Sequence, residues 1–217
     1  MKNHMLFMLA LGLMTVMPGL MAQTVDHYFC QMPANLIPTV PFDTRKDLVD
    51  FYKNGKTAVM PSVIGGEIVL KELSDDYLLL QTSESGDLQL KLLQVNDTLR
   101  VLALVNTVTA PMKDSRIVFY SITWQPLKEI VLPEITYLDF LDKEKGKALG
   151  VADRFNEVCM RVFISYKFNQ NSSLLIARSS LKEDIRPEIK KDFEPIIKDS
   201  IVFKLKDGRF IQQSTKK

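Results

Sequence analysis

Between residues 67 and 124 five apolar segments follow one another with gaps too short to hold a helix, and this constrains the fold more than any other feature. The segments are Glu67–Leu73, Tyr77–Thr82, Leu88–Val95, Leu99–Val108 and Arg116–Trp124. Turn residues separate them at Ser74-Asp75-Asp76, from Ser83 to Gly86, at Asn96-Asp97 and at Met112-Lys113-Asp114. A parallel crossover takes a dozen or more residues, so consecutive segments must pair as antiparallel neighbours. Leu99, Val101, Ala103 and Val105 point to one side of their strand, and Leu102, Leu104 and Val108 to the other. That strand is therefore expected at the centre, covered on both faces. Leu88, Leu90 and Leu92 alternate with Gln89 and Lys91, which predicts one face in water for the strand before it.

Helical signals flank this block. Val25, Phe29 and Met32 are spaced for a short helix that stops at Pro33. Thr44 to Asp47 has the form of a capping box. Leu48, Phe51 and Tyr52 make a one-sided apolar stripe, and Gly55 follows as a left-handed cap. Thr136 and Asp139 form a second box. Lys143 to Gly150 is charged and punctuated by glycine, as a linker would be. Further on, Met160, Val162, Ile164, Tyr166 and Phe168 alternate, and Asn169-Gln170-Asn171 turns the chain into Leu174–Arg178. A third box, Ser180 to Glu183, opens a helical stretch that Pro187 and Pro195 divide. Ile201, Phe203 and Leu205 then form a strand, returned at Phe210 by the hairpin pair Asp207-Gly208. The expected class is α+β, a mainly antiparallel meander with a few short helices packed on it. Residues 23–142 hold the helix and meander. Residues 151–213 hold a hairpin, helix and hairpin, either separate or continuous with the first part.

Residues 1–22 are set apart. Lys2 supplies a basic start, Met5 to Val16 an uncharged apolar run, Pro18-Gly19 a break and Ala22 a small residue before a cut. The run is shorter than the ~20 apolar residues that a membrane span needs. A cleaved secretory signal and export to the periplasm or beyond are expected, with no membrane span after cleavage. Losing Lys2 and no acid takes the net charge from +2 to +1. A chain so nearly neutral lacks the clustered basic footprint of a nucleic-acid binder, so no nucleic acid is expected. Export permits a disulfide between Cys30 and Cys159. The alternative is two separate buried thiols.

Several stretches then fall into a recognisable order. Gln31-Met32-Pro33, Arg45 to Tyr52 (RKDLVDFY), Asp76 to Leu80 (DYLLL), Leu90 to Leu93 (LKLL), Asp114 to Tyr120 (DSRIVFY) with Trp124, and Ile201 to Phe210 with its DGRF ending together resemble one family. It is the secreted family from Gram-negative anaerobes catalogued as domain of unknown function 3256. The resemblance covers most of the chain, more loosely from Gly146 to Ser180. It implies an exported envelope protein, and brings with it neither an activity nor functional residues.

Catalytic chemistry finds few candidates. Once residues 1–22 are removed His27 is the sole imidazole, which places Ser–His–Asp hydrolysis and His-rich metalloenzyme motifs out of reach. His27 and Cys30 make an H-x-x-C pair, short of the four ligands of a structural zinc site. Glu67, Asp75, Asp76, Asp114 and Asp139 are the carboxylates that could pair as acid and base in a glycosidase, yet four of them sit where turns or caps favour Asp. Gly65-Gly66 opens no phosphate loop. No catalytic, cofactor or metal residue is assigned. Trp124, at a strand end, is the candidate surface aromatic. Thr98 and Ser200 follow aspartates as candidate O-glycosylation acceptors. The resulting expectation is a non-catalytic binding or interaction module of the envelope, its partner an envelope protein or a glycan. A carboxylate-based glycan hydrolase and an inhibitor of a secreted enzyme are the alternatives.

Overall fold

The computed structural model describes residues 23–158 and 162–214. The expected signal segment and Cys159 lie outside the described residues. The elements in chain order are α1 (Val25–Gln31), α2 (Phe42–Lys53), β1 (Val59–Pro61), β2 (Glu67–Leu73), β3 (Tyr77–Ser83), β4 (Gly86–Gln94), β5 (Arg100–Val108) and β6 (Asp114–Ser121). After them come α3 (Lys143–Ala148), β7 (Ile164–Phe168), β8 (Leu174–Ser179), α4 (Leu181–Asp184), α5 (Pro187–Phe193), β9 (Ile201–Lys206) and β10 (Arg209–Gln212). Strands β1 to β6 form one antiparallel sheet in sequence order, and β10-β9-β8-β7 form a second. The class is the α+β meander that the apolar segments imply.

The large sheet separates two cores. On one face Ile68, Leu78, Leu80, Leu88, Leu90, Leu102 and Leu104 pack with Val25, Phe29 and Leu48 of the N-terminal helices. Arg45 of α2, 3 % exposed, ties these helices together. Its guanidinium donates to the Phe29 and Met32 carbonyls at 3.0 and 2.6 Å, at the C-terminal end of α1, where the helix dipole favours a cation. α2 starts two residues before Thr44, behind Pro41, and no side chain caps it. Its far end is a Schellman motif. Gly55 has φ +67°, its N–H reaches the Tyr52 carbonyl, and the Lys56 N–H reaches that of Phe51.

On the other face Tyr77, Val101, Ala103, Val105 and Phe119 share a core with Phe168, Leu175, Ala177, Phe203 and Phe210 of the small sheet. Phe168 and Phe210 lie on the first and last strands of that sheet, yet their ring centroids are 6.3 Å apart. Three flat strand spacings would separate them by about 14 Å, so the small sheet is strongly curled. Phe119 stacks on Phe210 at 5.5 Å from the large sheet.

This arrangement overturns the wet face expected for β4. Gln89 is 4 % exposed and Lys91 1 %. Strand β7 is the edge of the small sheet, and an edge needs partners for its free N–H groups. The large sheet supplies them from side chains. Ile164 N–H donates to Asp114 Oδ1 at 3.3 Å, Tyr166 N–H to Ser115 Oγ at 3.1 Å, and Phe168 N–H to Gln89 Oε1 at 3.1 Å. Gln89 Nε2 donates back to the Tyr166 carbonyl at 2.9 Å. Lys91 Nζ meets Asp76 at 2.8 Å and the Gln170 carbonyl at 3.0 Å, and stands 5.7 Å from the Tyr77 ring centre. The polar face of β4 is a docking face.

Three further readings change. Residues 143–148 are the helix α3 and not a linker; Gly146 is buried there, and a Cβ on it would meet Phe155 Cζ at 2.5 Å. Ser180 precedes α4 without capping it, because its hydroxyl accepts from the Phe163 N–H instead. Trp124 is not a surface aromatic: it is 8 % exposed. β6 ends at Ser121, and a turn closed by Trp124 N–H to Ser121 O carries Trp124 at φ +64°. The indole swings back against Tyr120, with ring centres 5.5 Å apart.

Candidate functional site

Because β7 meets the large sheet along its edge, the outward face of the small sheet rises from the large sheet at an angle. The re-entrant corner is a cavity of about 960 Å³. Its floor is the large-sheet surface at Leu79, Asp87, Gln89 and Thr107. One wall is Ser165, Lys167, Ile176 and Arg178 of β7 and β8, and the other is the loop at Thr109 to Lys113. Lys182, Glu183, Lys198 and Asp199 close one end.

Five cations line this groove against three carboxylates. Two of the carboxylates are already committed: Asp87 to Lys71 at 3.1 Å, and Asp199 to Lys182. The hydrogen bond and charge of Lys182, with a smaller contribution from Arg178, hold the Asp199 carboxyl below the usual range. Lys198 donates to the Asp139 carbonyl. Lys113 and Arg178 are exposed, while Lys167 reaches Glu72 at only 4.0 Å. Thr107, Thr109, Ser165 and Ser179 add hydroxyl-bearing residues to the lining. Tyr166, whose side chain packs toward the core, has its hydroxyl pushed above its usual value by burial and by the charge of Asp114. Chemically the groove offers hydrogen-bond donors and positive charge to an anion.

The carboxylates singled out from sequence do not converge. Asp139 completes the capping box with Thr136, accepting at 2.8 and 3.0 Å. Asp114 holds the edge of β7, Asp76 pairs with Lys91, and Glu67 sits opposite Pro61 at the start of β2. None of the five, Asp75 included, lines either cavity described here. A second, shallower hollow of about 340 Å³ lies between α1 and α2 and contains His27 and Cys30. Cys30 is a half-buried free thiol, and burial, with the charge of Asp26, pushes it up, away from the reactive thiolate. Among the described residues no group of three or more His, Cys, Asp or Glu is placed to hold a metal ion.

Thr98 stands exposed in the β4–β5 connection. This is a wider loop than a two-residue hairpin, with Val95 N–H on Leu99 O and the Asn96 side chain accepting from the Thr98 and Leu99 N–H groups. Ser200 is half-buried before β9. Sequence reasoning missed the groove cations, which come from separate loops and strands. The alternation Lys204, Lys206, Arg209 against Phe203, Leu205, Phe210 signals a charged face on the strands beside the groove, but none of these residues lines it.

A six-stranded meander covered by helices on one side and by a curled four-stranded sheet on the other defines the class. The chain belongs to the family described as Protein of unknown function (DUF3256), whose model matches residues 17–210. A solved domain of an uncharacterized protein from Porphyromonas gingivalis W83 has the same fold. It is 24 % identical, with a TM-score of 0.72, over 87 % of this chain and 96 % of that one. No match was found among curated proteins. Among the described residues no helix is long and apolar enough to cross a membrane.

Proposed function

We propose that this chain is an exported, non-catalytic binding module of the cell envelope and that its partner is held in the groove between β7–β8 and the 109–113 loop. The cation-lined groove carries the reading: it is the larger of the two cavities described and joins hydroxyl donors to exposed positive charge. The layout of residues 1–22 supports export. The dispersal of Glu67, Asp75, Asp76, Asp114 and Asp139 weighs against a two-carboxylate hydrolase, whose acid and base must flank one bond.

The test uses purified protein without residues 1–22 and envelopes isolated from its own cell. Wild type should sediment with the envelopes. The variant Lys113→Ser/Arg178→Ser, with an unchanged melting temperature, should stay in the supernatant. Reducing ends should not rise above a buffer control during incubation. Equal sedimentation of both proteins, or release of reducing ends, contradicts the reading.

A further inference from the structure

The groove opens onto a surface whose charge is unusually segregated. The outward positions of the small sheet follow from its register: Ser165 faces Arg178, Lys167 faces Ile176, Ile176 faces Val202, Leu174 faces Lys204, and Lys206 faces Arg209. Lys167, Arg178, Lys204, Lys206 and Arg209 are all exposed on this face, and no Asp or Glu occupies any of its positions. Arg178, Lys204, Lys206 and Arg209 form no ion pair among the described residues, and Lys167 has only its 4.0 Å approach to Glu72. A chain with a near-neutral total has therefore gathered five cations on one small sheet, four of them outside any ion pair among the described residues.

We propose that this face and the groove beside it bind an acidic polysaccharide, a chain bearing repeated carboxylate or phosphate groups. The proposal rests on the reading of the groove as a binding site and names its ligand class. The cations are spread over four adjacent strands, so they fit charges repeated along a polymer better than one small anion. A neutral glycan would call for an aromatic platform. The outward positions hold no aromatic residue, and Phe168, Phe203 and Phe210 all point inward. A protein partner would call for an apolar interface centre rich in aromatic anchors. Here the centre is Leu174, Ile176 and Val202, each half-buried already, with Ile211 at the rim. A bilayer surface would call for an amphipathic element that can bury its apolar side, and a curled sheet with a re-entrant groove offers none. Repeated charge, hydroxyl donors and concavity are left, and a hydrated acidic glycan uses all three.

The experiment measures binding by calorimetry of the chain without residues 1–22 to polygalacturonate, to dextran of the same length, to poly-L-glutamate, and to vesicles of phosphatidylglycerol and phosphatidylethanolamine. Polygalacturonate should bind at least about tenfold more tightly than the other three, and its affinity should fall steeply with salt as counterions are released. Arg178→Ser/Lys204→Ser should weaken it about tenfold or more and flatten the salt dependence. Lys46→Ser/Lys56→Ser removes the same charge from exposed sites on and just after α2, across the large sheet, and should leave binding unchanged. Melting temperatures of both variants should match wild type, since all four side chains are exposed. Equal binding of dextran, preference for polyglutamate or vesicles, or equal loss in both variants overturns the proposal. Failure with polygalacturonate while the envelopes still retain wild type and release Lys113→Ser/Arg178→Ser rejects the glycan class alone. Failure of both rejects the module as well.

Discussion

Gln89 accepts the Phe168 N–H at 3.1 Å, and this bond fastens the edge of the small sheet to the interior of the large one. With the return bond from Gln89 Nε2 to Tyr166 O at 2.9 Å, one amide satisfies two groups on the side of β7 that faces away from β8. Gln89→Leu strands both groups in a buried setting, where each costs about 1–3 kcal/mol. The expected loss is about 2–4 kcal/mol in urea denaturation, and a change within about 0.5 kcal/mol, usual for a surface site, would contradict the docking.

Lys91 and Asp76 should respond unequally to substitution. Lys91 is buried and Asp76 is half-exposed at 47 %. Lys91→Met removes a buried charge and keeps its stem, so stability should shift by no more than about 1 kcal/mol in either direction. Asp76→Ala leaves an ammonium buried with only the Gln170 carbonyl and a ring, and should cost about 2–3 kcal/mol, below the full penalty of a wholly buried pair. Chemical denaturation of the two variants orders them, and a larger loss for Lys91→Met would reverse the argument.

Asp26 makes stability depend on pH. Burial pushes its carboxyl up, but the hydrogen bonds from Lys53 and Thr24 and the Lys53 charge outweigh that, leaving it below the ordinary 3.8. A folded value that is depressed contributes stability above the unfolded value and loses it as pH falls through the folded one. Asp26→Asn should therefore cost about 0.5–1 kcal/mol near neutral pH, the upper part of the range for a pair open to water on its Lys53 side. The gap from wild type should narrow as the pH is lowered from neutral to about 2. An equal gap at both pH values would show that the loss is not electrostatic.

Gly146→Ala tests whether α3 belongs to the core. An added Cβ would lie 2.5 Å from Phe155 Cζ, and overpacking of this kind costs about 1–3 kcal/mol. Helix propensity works the other way, by up to about 1 kcal/mol. The melting temperature should fall, and Phe155→Leu in the same chain should restore part of it. A rise for Gly146→Ala alone would mean that residues 143–150 are a linker after all.

The strands were legible in the sequence because their apolar period is strict and their gaps are short. Glu67–Leu73 matches β2 at both ends, and Asp207-Gly208 turns with both residues at positive φ. β1 escaped notice because it is three residues long and ends in Pro61, which only a sheet edge tolerates. Gln89 and Lys91 show a deeper gap. Alternation reports which face is polar, and a polar face can be buried when another strand's edge needs its hydrogen bonds. Trp124 was misplaced because nothing local announces a left-handed Trp. The groove was illegible for a different reason: Lys113, Lys167, Arg178, Lys182 and Lys198 come from different loops and elements that only the docking of β7 brings together.

The central claim, that the corner between β7–β8 and the large sheet is where this chain meets its envelope partner, can be tested by site-specific photo-cross-linking in the living cell. A benzophenone side chain would replace Ser179, in the groove, or Asp47, exposed on α2 across the large sheet. The account predicts adducts of higher mass from position 179 that disappear when Arg178 is also changed to Ser, with none from position 47. Adducts from position 47 alone, or from both positions regardless of Arg178, would contradict it.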